Sequence, residues 1–417
     1  MKPIKTTALA LLTLGVLSTT ALAQDNLSMW SRTGSEAFMP KLIEAFNASH
    51  KMQIDLQIVP SAELIQKYAT AAAGGSAPDL LSLDLIFTAA FADAGQLVDL
   101  TDIVKALPYY AHLSPAHLEM GSRNQRIYGT PMSADASVLL WNKDLYKQAG
   151  LDPEKGPTNW VEFEDQAAKV TALGDDIHGF YFSGACGGCN AFTFMPLVWA
   201  NDGEFFLNGG TRASLNIPQM HDAVSLYRDM WAKGYVPASA QTDNGSNFFG
   251  GFATGKIGIS ILGSFAIGAL ATNNPDLDYG VTFIPGKDGG WSSFAGGDNF
   301  VATAGRDNDA GIKEFLEFVY SVDGQTILAK GGSLPTRNDI AAEALQGLDS
   351  RYLIATEAMA GGHKTPSSPV YNDLLNSGTG PWVQAVSEAI FGEEENIENA
   401  LIEGEESMQR IMDMAAN

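Results

Sequence analysis

Gln53-Ile54-Asp55-Leu56-Gln57-Ile58-Val59 alternates strictly, with Ile54, Leu56 and Ile58 on one side and Gln53, Asp55 and Gln57 on the other. A period of two turns one set toward a core and the other toward water, as in a half-buried strand. Upstream, Leu27 to Trp30 is a short strand candidate. Ser35 to Asn47 places Phe38, Leu42, Ile43 and Phe46 at helical spacing, with Pro40 early enough to cost little. Downstream, Ser61 can cap a helix striped by Leu64, Ile65, Tyr68 and Ala72; Gly74-Gly75 ends it, and Leu80 to Leu83 begins another strand. The order is βαβαβ. Such alternation predicts a mostly parallel sheet with right-handed crossovers, whose ligand crevice lies beyond the carboxyl ends of the strands. Trp30 to Gly34 and Asp84 occupy such ends.

A chain of 417 residues that is 45% hydrophobic and 18% charged has ample material for a core, and its length suggests two domains. The formal charge is -23, from 25 Lys and Arg against 48 Asp and Glu, with no basic run. Nucleic acid and anionic membrane surfaces are therefore excluded as partners. Lys2 and Lys5, the apolar stretch Ala8 to Val16 and Ala21-Leu22-Ala23 read as a signal peptide cleaved after Ala23. The apolar run is too short to span a bilayer of roughly 30 Å. With no Cys near the cut, the mature chain is expected to diffuse freely, best placed in a Gram-negative periplasm.

Helical stripes recur at 162–173, 219–232, 312–320 and 382–412, and Gly-rich loops at 184–188, 249–258 and 286–297. Within 382–412, Glu393-Glu394-Glu395 and Glu403 to Glu406 alternate with Ile397, Leu401, Met408 and Ile411, which reads as a solvated helix face. Cys186-Gly187-Gly188-Cys189 is the one cysteine pair, and in an exported chain it should close a small disulfide. A redox-active CxxC is the alternative; it normally opens a helix, and Gly187-Gly188 argues against a helix here. Gly250 to Lys256 spells GxxxxGK, but Ile257 stands where a magnesium-holding Ser or Thr is needed, so it is no nucleotide loop. His112 and His117 are five apart and share no helix face, so no metal site and no cofactor are expected.

Several segments, read in order, carry a resemblance: Phe46-Asn47, Gly75-Ser76-Ala77-Pro78-Asp79, Ala94-Gly95-Gln96-Leu97-Val98-Asp99-Leu100, Tyr128-Gly129-Thr130-Pro131, Leu140-Trp141-Asn142-Lys143-Asp144-Leu145 with Ala149-Gly150-Leu151, and Phe252 to Gly258. Together they resemble the extracellular solute-binding proteins of ABC sugar importers, the group that includes the maltose and glycerol-3-phosphate binding proteins. Family members usually have Tyr where Trp141 stands and Trp where Phe265 stands in Gly263-Ser264-Phe265. The resemblance implies an α/β two-lobe periplasmic binding protein fold. Each discontinuous lobe would be a mostly parallel sheet flanked by helices, joined by a hinge of three crossings near 132–137, 286–295 and 337–342. The expected lobes are 24–133 plus 291–337 and 138–286 plus 342–417.

The resemblance also implies a monomer that takes a sugar or sugar derivative, an anionic one among the options, in the interlobe cleft, without catalysis, and delivers it to an inner-membrane ABC permease. Asp84 and Asp135 align with polar cleft positions, and carboxylates can accept two sugar hydroxyls at once. Ser35, Ser264, Phe265, Gly297 and Asp298 are further candidates, as is Asn190 behind the cysteine pair. Trp291 is the leading aromatic candidate, because a pyranose packs its CH face on a ring. Trp199 and Trp231 read as structural. Arg32 follows the first strand, and Arg337 closes Gly331-Gly332-Ser333-Leu334-Pro335-Thr336-Arg337, which resembles an anion-binding stretch; either guanidinium could instead pair with a carboxylate such as Asp339. The rival reading is an exported glycoside hydrolase that uses Asp84 and Asp135 roughly 5–10 Å apart.

Overall fold

The computed structural model describes residues 26–174, 176–306, 308–364, 367–393 and 396–416. The signal peptide assigned to Met1 to Ala23 lies outside the described residues, as do Glu394 and Glu395 of the acidic run. The strands that frame the molecule are β1 (Leu27–Arg32), β2 (Ile54–Val59), β3 (Leu80–Asp84), β4 (Gly129–Asn142), β5 (His178–Tyr181), β6 (Ile257–Gly263), β7 (Tyr279–Thr282) and β8 (Ala295–Ala302). The first three confirm the βαβαβ reading: β1 pairs in parallel with both β2 and β3. The crossovers are α1 (Met39–Ser49) and α2 (Ser61–Ala73).

Two helix starts differ from expectation for local reasons. α1 begins at Met39 rather than Ser35, which leaves Pro40 in the first turn, where its missing N–H costs nothing. Ser61 is the first residue of α2 rather than its cap, and its hydroxyl donates instead to the Thr33 carbonyl at 2.7 Å.

The strands run in the order β2-β1-β3-β8-β4-β6-β5, with β7 also against β4. β4 is the backbone of the whole arrangement. Its first part pairs antiparallel with β8, from Gly129 to Ala136, and its second part with β6 and β7, from Ser137 to Asn142. The apolar interior divides at the same place. Met132 packs in a body with Met29, Phe46, Phe300 and Phe315, whereas Ala134 to Trp141 pack in another with Phe180, Tyr227, Ile259 and Trp382. Burial of each such large side chain contributes about 1.5–3 kcal/mol, so each body has a core of its own.

Where the chain crosses, buried serines satisfy backbone groups that the interrupted ladder leaves over. Ser137 Oγ accepts from the Phe294 amide at 2.8 Å, Ser293 Oγ donates to the Ser137 carbonyl at 2.7 Å, and Ser333 Oγ accepts from the Ala134 amide at 3.0 Å.

The predicted stripes appear as α3 (Trp160–Thr171), α5 (Pro218–Ala232) and α7 (Asp309–Val319). The stripe at 382–412 is two helices, α8 (Pro381–Phe391) and α9 (Ile397–Ala415), because the chain turns extended at Gly392. Glu405 on α9 does more than face solvent: its carboxylate accepts from the Leu215 and Asn216 amides at 2.8 and 3.0 Å.

Residues 186–189 also depart from expectation. α4 (Gly187–Thr193) starts inside the cysteine pair, capped by Cys186. The glycines serve contact rather than turning: a Cβ on Gly187 would meet the Leu375 carbonyl oxygen at 2.7 Å. The disulfide is formed, with Cα atoms 5.2 Å apart.

Candidate ligand cleft

Between the two bodies lie two neighbouring chambers of about 370 and 740 Å³, both walled by Arg32, Asp135, Phe265 and Gly297. Their charged floor comes from strand ends. Arg32 closes β1 and Asp84 closes β3, while Asp298 lies directly opposite Asp84 in the β3–β8 register. Like charges so placed repel. Arg32 spans the pair, donating from Nη2 to Asp298 Oδ1 at 2.5 Å, from Nε to Asp298 Oδ2 at 3.2 Å and from Nη1 to Asp84 Oδ2 at 3.2 Å. Ser82 Oγ adds a bond to Asp298 at 3.0 Å. The Asp298 charge above all, with Asp84 and Asp135 behind it, raises the guanidinium pKa above its ordinary value. Burial pushes the Asp84 carboxyl up; Arg32 opposes the rise and Asp298 adds to it.

Gly297 makes this geometry possible. Its φ is +130°, and a Cβ there would lie 2.1 Å from the Ser133 carbonyl oxygen, so β8 can approach β4 beside Asp298 only with glycine at this position.

Asp135 projects from the middle of β4. Its Oδ1 accepts from Ser264 Oγ at 2.5 Å, the Ala136 amide at 2.9 Å and the Phe265 amide at 3.3 Å. All three of these bonds end on the same oxygen. Burial raises the carboxyl to about 6, against the pull of these donors. Phe265 begins α6 (Phe265–Asn273) and stands 38% exposed, one of few large apolar side chains so open. Phe192, Phe248, Phe294 and Tyr371 complete an aromatic wall on the smaller chamber. Gly188 and Cys189 lie on that wall as well.

Of the residues singled out from sequence, Arg32, Asp84, Asp135, Phe265 and Gly297 wall the smaller chamber, and Ser35 and Asp298 wall the larger one. Ser264 stands behind, orienting Asp135.

Three are not brought to the cleft. Asn190 faces inward and donates to the Ser183 and Gly184 carbonyls, whereas Gly188, Cys189, Ala191 and Phe192 of α4 line the cleft. Trp291 stacks on Phe283 at 4.3 Å, in a short antiparallel pair at the crossing; Phe294, three residues on, is the ring that reaches the wall. Arg337 is only 13% exposed, bonded to both Asp339 oxygens at 2.8 and 2.7 Å and to the Tyr320 carbonyl at 2.8 Å, and stacked over Tyr109. Its neighbours Lys330 to Ser333 line the larger chamber in its place.

Sequence reasoning missed Phe192, Phe248, Phe294, Tyr371 and Tyr352. Phe294 alone carried a local signal, as an aromatic in the flagged Gly-rich loop 286–297.

Two bodies that share their crossing strands around a cleft walled from both sides define a clamp for a small molecule. Residues 30–326 match the sequence model of the bacterial extracellular solute-binding proteins, and the chain belongs to that family. It is 26% identical over 309 residues to a binding protein of Brucella abortus strain 2308, covering 72% of this chain and 73% of the other. It is 27% identical over 355 residues to the sn-glycerol-3-phosphate-binding periplasmic protein UgpB of Escherichia coli strain 536, covering 76% of each. Among solved structures, an ABC transporter solute-binding protein of Thermotoga lettingae bound with α-D-tagatose superposes with a TM-score of 0.81 at 23% identity, over 93% of this chain and 99% of that one. The cyclic α-maltosyl-1,6-maltose binding protein of Arthrobacter globiformis gives 0.80 at 23% identity, with the same coverage.

Proposed function

We propose that this protein is the solute-capturing component of an ABC importer, exported to the periplasm as a monomer after cleavage at Ala23. It holds a sugar or sugar derivative in the cleft and delivers it to a membrane permease. The observation that carries this reading is the juxtaposition of hydroxyl acceptors, Asp84 and Asp135, with the rings of Phe192, Phe248, Phe265 and Phe294 in one cleft. A pyranose presents hydroxyls at its rim and CH groups on its face, and such a cleft meets both. The sugar ligands named for the related structures favour a saccharide, whereas UgpB is named for a phosphorylated polyol. The lobes are taken as 24–133 plus 291–337 and 138–286 plus 342–417, with β4 and the crossings near 286–295 and 337–342 as hinge.

The protein binds its ligand without chemistry. Asp84 is committed to Arg32, and Asp135 Oδ1 to three donors, which suits them to holding hydroxyls rather than to proton transfer. Isothermal titration against a panel of mono- and disaccharides should find one-to-one binding, with the ligand recovered intact by chromatography. Turnover of a bound oligosaccharide, or no binding across the panel, would overturn the proposal.

A further inference from the structure

The walls of the cleft differ in what charge they can accept, and this bears on the ligand's class. Among the described residues Arg32 is the one cation on the smaller chamber, and both edges of its guanidinium are already taken by Asp298 and Asp84. Arg337, the other arginine expected near a ligand, is spent on Asp339 and the Tyr320 carbonyl. Among the described residues the Asp135 carboxylate forms no ion pair; it lies on the wall of both chambers, and the bonds it accepts from Ser264 Oγ and the Ala136 and Phe265 amides all end on Oδ1. Lys41 and Lys330 line the larger chamber, but both are exposed, where water and salt screen them. An anionic group that entered this cleft would meet the Asp135 carboxylate and an arginine whose donors are committed, whereas hydroxyl donors would meet carboxylate oxygens able to accept further bonds.

Resting on the saccharide reading above, we infer that the cleft selects saccharides that carry no anionic group and rejects their phosphorylated or carboxylated counterparts. Discrimination comes from Asp135 and from the closure of Arg32 by Asp84 and Asp298. Removal of the Asp84 charge would leave one edge of Arg32 open to an anion, since guanidinium forks accept phosphate and carboxylate alike.

The test is calorimetric titration with matched pairs: tagatose and tagatose 6-phosphate, maltose and maltobionate, glycerol and glycerol 3-phosphate. In every pair where either member binds, the neutral member should bind at least about 30-fold more tightly, roughly 2 kcal/mol. An anionic member that binds as tightly as its neutral counterpart overturns the inference while leaving the saccharide reading intact. Absence of binding by every pair and by the wider saccharide panel removes both. Asp84→Asn, checked for an unchanged melting profile, should narrow the neutral-to-anionic ratio about tenfold; an unchanged ratio contradicts the assigned role of Arg32. Anion binding that disappears in Lys41→Ala or Lys330→Ala would place the anion receptor at the mouth and overturn it as well.

Discussion

Asp135 pays for its position in the cleft with a dependence of stability on pH. Its carboxyl is raised from an ordinary 3.8 to about 6, so the folded protein holds this proton more tightly than the unfolded chain does. That contribution is fully present below about pH 4 and is lost as pH rises through 6. Asp135→Asn, which cannot ionise, should therefore be more stable than the parent at pH 7.5 by about 2 kcal/mol, a gain that shrinks toward zero at pH 4. Its ligand affinity should fall. Denaturant titrations at several pH values check this, and a gain that stays constant with pH would refute the ionisation account. His117 acts in the opposite sense. Buried against Ser114 and the Ser133 carbonyl, it is lowered to about 4, so its contribution is present above 6.5 and fades as pH falls through 4. The two contributions oppose each other between pH 4 and 6.5, so Asp135→Asn should lose more stability on acidification over this range than the parent does. Gly297→Ala should destabilise by on the order of 3 kcal/mol and weaken binding, because the added methyl meets the Ser133 carbonyl and displaces Asp298. At this scale the sequence was informative wherever a residue ends a strand, as Arg32 and Asp84 do. For Arg337 it left two readings open, and the pairing with Asp339 two positions away is the one found, with Tyr109 far off in the chain stacked beneath it.

Among elements, α4 shows how a local feature acquires a role in the site. The Cys186–Cys189 bridge lies within its first turn, Gly187 and Gly188 press against residues 375–377, and the next turn presents Phe192 to the cleft. A bridge across so short a loop contributes on the order of 2 kcal/mol at most. The double variant Cys186→Ser, Cys189→Ser should keep a melting temperature within a few degrees of the parent, yet lose roughly tenfold in ligand affinity as α4 relaxes. Paired melting curves and titrations decide it, and unchanged affinity would make the bridge merely structural. The disulfide and the strands β1 to β3 were legible because spacing and period are local signals. The aromatic wall was not, since Phe192, Phe248, Phe294 and Tyr371 come from four separate segments and converge only once β4 to β8 are packed. The same limit explains why the long C-terminal stripe read as one helix: periodicity does not report that Gly392 turns the chain between two of them.

For the molecule as a whole, the two cores on either side of the β4 crossing and the chambers between them make ligand capture and motion one question. A site contributed by both bodies reaches its full set of contacts only when both close on the ligand, so ligand should shift the population toward a closed form. The crossings are tied in part by small serine hydroxyls. The most direct measurement is small-angle X-ray scattering of the full chain with and without a saturating saccharide identified by titration. The account predicts a smaller radius of gyration and a narrower distance distribution in the bound state; identical profiles at proven saturation would contradict capture by a closing two-body clamp.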